Sequence, residues 1–161
     1  MDLTEHIRKV QATMAQAAVN AGRDPGEITL CAATKVQTDD TIRAAIAAGV
    51  PVCGENRVQE LTAHLEHNAY EGARVHFIGH LQTNKVKQVV GKVELIHSVD
   101  SLHLLQAINN QADKLGLVQD FLLEVNIAGE ESKGGCTPEL AWELARQSVQ
   151  LDHVRFRGLM A

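Results

Sequence analysis

The chain has 161 residues, 45% of them hydrophobic but only 3% aromatic, and a formal charge of −5 at pH 7. That length allows one domain with a sizeable aliphatic core, and an acidic balance with no Lys/Arg run or aromatic-basic patch argues against nucleic acid as a partner. No apolar run is long enough to span a membrane, residues 1–6 lack a signal-peptide pattern, and Cys31, Cys53 and Cys136 form no CxxC, which speaks against a disulfide framework or zinc site and for a reducing cytoplasm.

Leu3, Ile7, Val10, Met14 and Ala18 recur at helical spacing, so an amphipathic helix is expected over residues 2–21, closed by Gly22. Residues 28–35 read as a buried strand between turn-forming clusters. Alternation puts Ile28, Leu30, Ala32 and Thr34 on one side, and Thr29, Cys31, Ala33 and Lys35 on the other. Thr38 is expected to cap a helix carrying Ile42, Ala45 and Ile46, with Gly49 just past its end. A short strand follows at 51–53, then a helix over 56–68 with Val58, Leu61 and Leu65 on one face. Next come a strand at 75–78, a turn at Gly79, and a helix over 82–90 with Val86, Val89 and Val90 inward, stopped by Gly91. A strand at 93–98 precedes a helix capped by Asp100 or Ser101, bearing Leu102, Leu105, Ile108 and Leu115 and ending at Gly116. Residues 121–127 form a strand, Thr137-Pro138-Glu139 opens a helix running to about residue 150, and 154–160 is a last strand.

A helix followed by five strand–helix units and one more strand is an α/β pattern, with parallel strands and right-handed crossovers. No linker divides the chain, so residues 1–161 are expected to form a single domain. A doubly wound sheet and a (β/α) barrel both fit. The lack of GxGxxG after the first strand lowers the dinucleotide-binding version. Six strands are found where a complete barrel has eight. The chain stops at Leu159-Met160-Ala161, at the mouth of a strand, which reads as a C-terminal truncation.

In either architecture ligands bind at the carboxyl ends of the strands. Those ends carry Lys35; Gly54, Glu55 and Asn56; Gly79 and His80, followed by Gln82, Asn84 and Lys85; Ser98; Asn126, followed by Ser132-Lys133-Gly134-Gly135; and Met160. One amine among amides, a hydroxyl, glycines and a thioether suits a flat, polar-substituted anion held beside a lysine, although strand ends are polar in any protein and a lysine just past a strand is commonly a surface residue. Asn126 and Glu124 share the parity of Leu122, which predicts them inward while Phe121, Leu123, Val125 and Ile127 face helices. Arg155 and Arg157 either face the interior, where they meet Glu124, or form an outer charged face. His76 and His80 share a face but are roughly 13 Å apart, too far for one metal. A core and a rim histidine are the simpler reading.

These same residues carry a resemblance. Ala33-Thr34-Lys35, Cys53-Gly54-Glu55-Asn56-Arg57-Val58-Gln59-Glu60, His76-Phe77-Ile78-Gly79-His80-Leu81-Gln82-Thr83-Asn84-Lys85, His97-Ser98-Val99-Asp100-Ser101, Val125-Asn126-Ile127 and Arg157-Gly158-Leu159-Met160-Ala161 follow in the order of the pyridoxal-phosphate homeostasis protein family (YggS/PROSC type). The resemblance covers nearly the whole chain. It implies a (β/α)8 TIM-barrel-like fold of the alanine racemase N-terminal-domain type, of which about six strands are present here. It implies pyridoxal 5′-phosphate (PLP) held as an aldimine on Lys35, with Asn56, Ser98, Asn126, Lys133 and Met160 around it, and a protein that buffers or delivers the cofactor, with apo PLP-dependent enzymes as possible recipients and no established catalytic reaction. The alternative is a PLP-dependent racemase or decarboxylase. Arg57 stands where the family usually has an aromatic residue. The family's phosphate cradle, and its arginine beside the pyridine nitrogen, lie in strands beyond residue 161.

Overall fold

In the computed structural model, which describes residues 2–130 and 133–161, six parallel strands lie in the spatial order of the sequence: β1 (Cys31–Ala33), β2 (Val52–Glu55), β3 (Arg74–Phe77), β4 (Leu95–Val99), β5 (Gln119–Glu124) and β6 (Val154–Met160). Five α-helices accompany them: α1 (Leu3–Asn20), α2 (Asp39–Ala47), α3 (Val58–Glu66), α4 (Leu102–Leu115) and α5 (Pro138–Ser148). A strand order that never reverses, with crossovers of one hand, keeps every connecting helix on the same face. That is the arc of a barrel, and it removes the doubly wound alternative, whose order reverses at a switch point.

The helix-facing side of the sheet is the core. Cys53, Phe77, Ile96, Phe121 and Leu123 are fully buried against Ile42, Leu61, Leu105, Ile108 and Leu144. Helix starts follow local chemistry. Asp2 and Glu5 form a capping box on α1, and Thr38, Ser101 and Thr137 each accept a backbone N–H from the first turn of α2, α4 and α5.

Three expectations change. The strand foreseen over 28–35 is paired only at 31–33. Among the described residues β1 pairs with β2 alone, and β2 begins at Val52, after a proline that cannot donate to the ladder, so residues 28–30 find no strand partner there. The helix foreseen over 82–90 is a 3-10 segment, Thr83–Gln88. Val86, Val89 and Val90 are buried as expected, but the three-residue step from Val86 to Val89 suits the tighter helix. Leu115 and Ile127 are exposed: Gly116 turns α4 away in a left-handed conformation, and the chain leaves the sheet after Val125, whose single bridge is to Cys136.

Gly79, just after β3, passes hard against the turn that follows β2. A Cβ there would stand 2.1 Å from the Asn56 carbonyl oxygen. Backbone cannot yield as a flexible side chain does, so Gly79→Ala is expected to cost about 2 kcal/mol or more. A urea midpoint unchanged from the parent chain would contradict this packing.

Candidate functional site

The carboxyl ends of the strands make one rim, and its best-anchored part is the turn after β1. Thr34 continues the ladder, its N–H donating to the Gly54 carbonyl at 3.0 Å, and its side chain is buried. Beneath it Glu55 is fully buried, its Oε1 accepting from Thr34 Oγ1 at 2.6 Å and from the Tyr70 hydroxyl at 2.8 Å. This corrects the placement of Glu55 on the ligand-facing rim: β2 runs two residues longer than foreseen and turns that carboxylate toward the helices. Burial, reinforced by Glu55, pushes the Tyr70 hydroxyl far above its ordinary range, so it remains a donor.

Lys35 is therefore not a strand residue. It sits exposed in a turn closed by the Gln37 N–H donating to the Thr34 carbonyl at 3.1 Å. The next residue, Val36, has φ 57°, a left-handed conformation that a β-branched side chain resists, at a cost on the order of 1–3 kcal/mol. Its N–H donates to Glu60 Oε2 at 3.1 Å. Lys35 has no hydrogen-bond or ion-pair partner among the described residues.

Next along the rim, Asn56 is half-buried and its Oδ1 has no partner among the described residues. It borders a cavity of about 160 Å³ shared with Arg57, His80 and Lys85. Arg57 is exposed and pairs loosely with Glu60 at 3.5 Å. Ser98 is fully buried in β4, with its Oγ likewise unpartnered among the described residues. Farther round, a cavity of about 370 Å³ brings together Glu124, Asn126 and Lys133. Asn126 donates to the Glu130 carbonyl at 2.8 Å, and Lys133 pairs with Glu130 at 3.0 Å, so both belong to one loop. Ser132 lies outside the described residues. Met160 is half-buried and in register with Glu124. Burial pushes the Glu124 carboxyl up, Asp100 adds to the effect and His80 opposes it. The six candidate residues thus share the rim in two groups, Lys35, Asn56 and Ser98 on β1–β4, and Asn126, Lys133 and Met160 on β5–β6.

Lower in the arc, Arg155 and Arg157 both face the interior, but they meet Asp120 instead of Glu124, Arg155 with a two-pronged contact at 2.7 and 3.1 Å and Arg157 at 3.5 Å. Register explains the change of partner. Asp120 lies opposite Arg155, whereas Glu124 lies opposite Met160. His76 is also interior, where its ring meets His97 at 3.0 Å and Glu94 at 3.1 Å. The contacts form one chain if His97 Nε2–H donates to His76 Nδ1 and His76 Nε2–H donates to Glu94, which makes the His76 ring neutral. Sequence reading gave no role to Thr34, Tyr70 or Glu60. A hydroxyl at a helix-facing position of a strand was the available signal, because a buried donor needs a partner.

Residues 8–161 match the family model described as alanine racemase, N-terminal domain. The chain is 42% identical over 160 residues to the pyridoxal phosphate homeostasis protein of Aquifex aeolicus, covering 99% of this chain and 70% of that one. Among solved structures it is similar to an unknown protein from Bifidobacterium adolescentis (TM-score 0.91, 40% identity, 98% of this chain and 68% of that one). It is also similar to PipY of Synechococcus elongatus, solved with PLP bound (TM-score 0.77, 33% identity, 91% and 68%).

Burial, helped by His76, holds His97 at about 4, below its ordinary value of 6.5. The unfolded chain therefore binds this proton more readily, and stability falls as pH drops from about 6.5 to about 4, with no further change through this group below that. His97→Asn is expected to lose less stability across that window, read as the shift in urea midpoint between about pH 7 and about pH 5. Equal losses in the two chains would sink the assignment.

Proposed function

The chain belongs to the pyridoxal phosphate homeostasis protein family, on the alanine racemase N-terminal domain, and from that premise we propose that it binds pyridoxal 5′-phosphate with Lys35 as the attachment amine. In this reading it holds the cofactor in reserve in the cytoplasm and releases it to apo enzymes that use it. The observation that carries the proposal is the Lys35 turn: an exposed, unpaired amine among the described residues, on the rim of a barrel arc, fixed by contacts on both sides.

The residues around it fit such a group. Asn56 Oδ1 and Ser98 Oγ are buried polar atoms without partners among the described residues, and a polar heterocycle supplies partners for atoms of that kind. When bound, the cofactor supplies an aldehyde that condenses with a primary amine. Lys35 is that amine. Asn56, Ser98 and Asn126 orient the ring substituents, Met160 lines the apolar side, and Lys133 brings a second amine on its loop. A racemase or decarboxylase needs in addition an acid or base positioned against the substrate. The carrier reading is favoured because the Aquifex aeolicus relative is a homeostasis protein by name and PipY is solved with PLP bound.

Adding the cofactor is expected to produce an absorbance band near the visible edge. Borohydride reduction is then expected to leave a mass increment on the peptide that contains Lys35. Lys35→Ala should lose both, and retention of the full band would overturn the assignment of the amine. Steady turnover of an amino acid, abolished together with Lys35, would favour the enzyme reading.

A further inference from the structure

We propose that Glu60 is a positioning residue for Lys35: its carboxylate holds the Val36 N–H and so keeps the lysine turn in a backbone conformation the sequence would otherwise abandon. The inference rests on the reading of Lys35 as the attachment amine. The turn carrying Lys35 is closed by the Gln37 N–H on the Thr34 carbonyl, and it requires a positive φ at Val36. Turns of this kind normally place glycine there. Valine is among the residues least suited to it, because its two γ-carbons crowd the backbone.

Something outside the turn must therefore select the conformation. Glu55 fixes Thr34 on one side at 2.6 Å, and Glu60 fixes Val36 on the other at 3.1 Å, so the two residues flanking Lys35 are each tied to a carboxylate. Glu60 is well placed to be the firm end of the clamp. It stands in the first turn of α3, where the helix favours a negative charge, its side chain is only 22% exposed, and its other oxygen meets Arg57. A hydrogen bond to an ionised acceptor is roughly twice as strong as one between neutral groups. Releasing it lets Val36 return to negative φ, which opens the turn and swings Lys35 away from the rim.

Two measurements on the full chain test this. In the protein without cofactor, amide hydrogen exchange at Val36 is expected to speed up at least about tenfold in Glu60→Ala. With cofactor added, borohydride-trapped modification of Lys35 is expected to slow about tenfold in Glu60→Ala and about threefold in Glu60→Gln, which keeps a neutral acceptor. Val36→Gly placed in the Glu60→Ala chain should restore most of the rate, because glycine adopts positive φ without the steric cost that valine carries. A role confined to stabilising α3 would not be rescued by that second change.

Wild-type modification and exchange rates in Glu60→Ala would overturn the positioning role while leaving Lys35 intact as the amine. An adduct that persists in Lys35→Ala would instead overturn the cofactor reading itself. If Glu60→Ala does not fold, Glu60→Gln with and without Val36→Gly carries the comparison, and equal Lys35 modification rates in that pair and the parent would again refute the proposal.

Discussion

A single sealed carboxylate ties the amino-terminal half of the sheet together. Glu55 has no solvent exposure, and its Oε1 receives hydrogen bonds from β1's continuation at Thr34 and from Tyr70 beyond α3. A buried carboxyl group without hydrogen-bond partners is costly, so these two donors matter to the acid, whose Oε2 has no partner among the described residues. The tie continues outward. His64 stands 3.9 Å from the same oxygen and binds Asp39 at 2.6 Å, and Asp39 also meets His67, so α2 and α3 are joined over the top of β2. Lys35 follows directly after Thr34, which means this buried polar contact and the exposed amine are chain neighbours.

Much of this architecture was legible in the sequence because burial here follows simple periodicities. Helix-facing positions alternate cleanly in β5, three of the five described α-helices begin at a Ser or Thr cap that the sequence displays, and the last strand has the bounds expected of it. Misread features share one cause, dependence on a neighbour distant in sequence. The paired length of β1 is decided by where β2 starts, and the side to which Glu55 turns is decided by how far β2 continues. The partner of Arg155 is decided by register with β5. The left-handed Val36 was illegible for a stronger reason. The side chain at that position argues against it, and the Val36 N–H donates to Glu60, a residue 24 positions away on α3.

The concave face separates into two levels of different character. Deep in the arc the polar groups satisfy one another, Asp120 with two arginines and His76 between His97 and Glu94. Toward the rim satisfaction gives way to unpaired groups, with Asn56 Oδ1 and Ser98 Oγ lacking partners among the described residues and Glu124 beside Asp100. Floors that are complete and mouths that are not are how a barrel separates structure from binding. The candidate residues occupy only the upper level, although they come from both sides of the sheet.

The unbroken strand order also has a kinetic meaning. Among the six described strands, each one after β1 pairs with the one that precedes it in the chain, so within this arc pairing is between sequence neighbours. Loop-closure entropy is then spent in similar small instalments, and the sheet can grow in one direction, one strand–helix unit at a time, as the polypeptide leaves the ribosome. Every group of the Glu55 tie, and the Glu60 contact to Val36, lies between Thr34 and Tyr70, so the lysine turn needs nothing from the far side of the rim to be shaped.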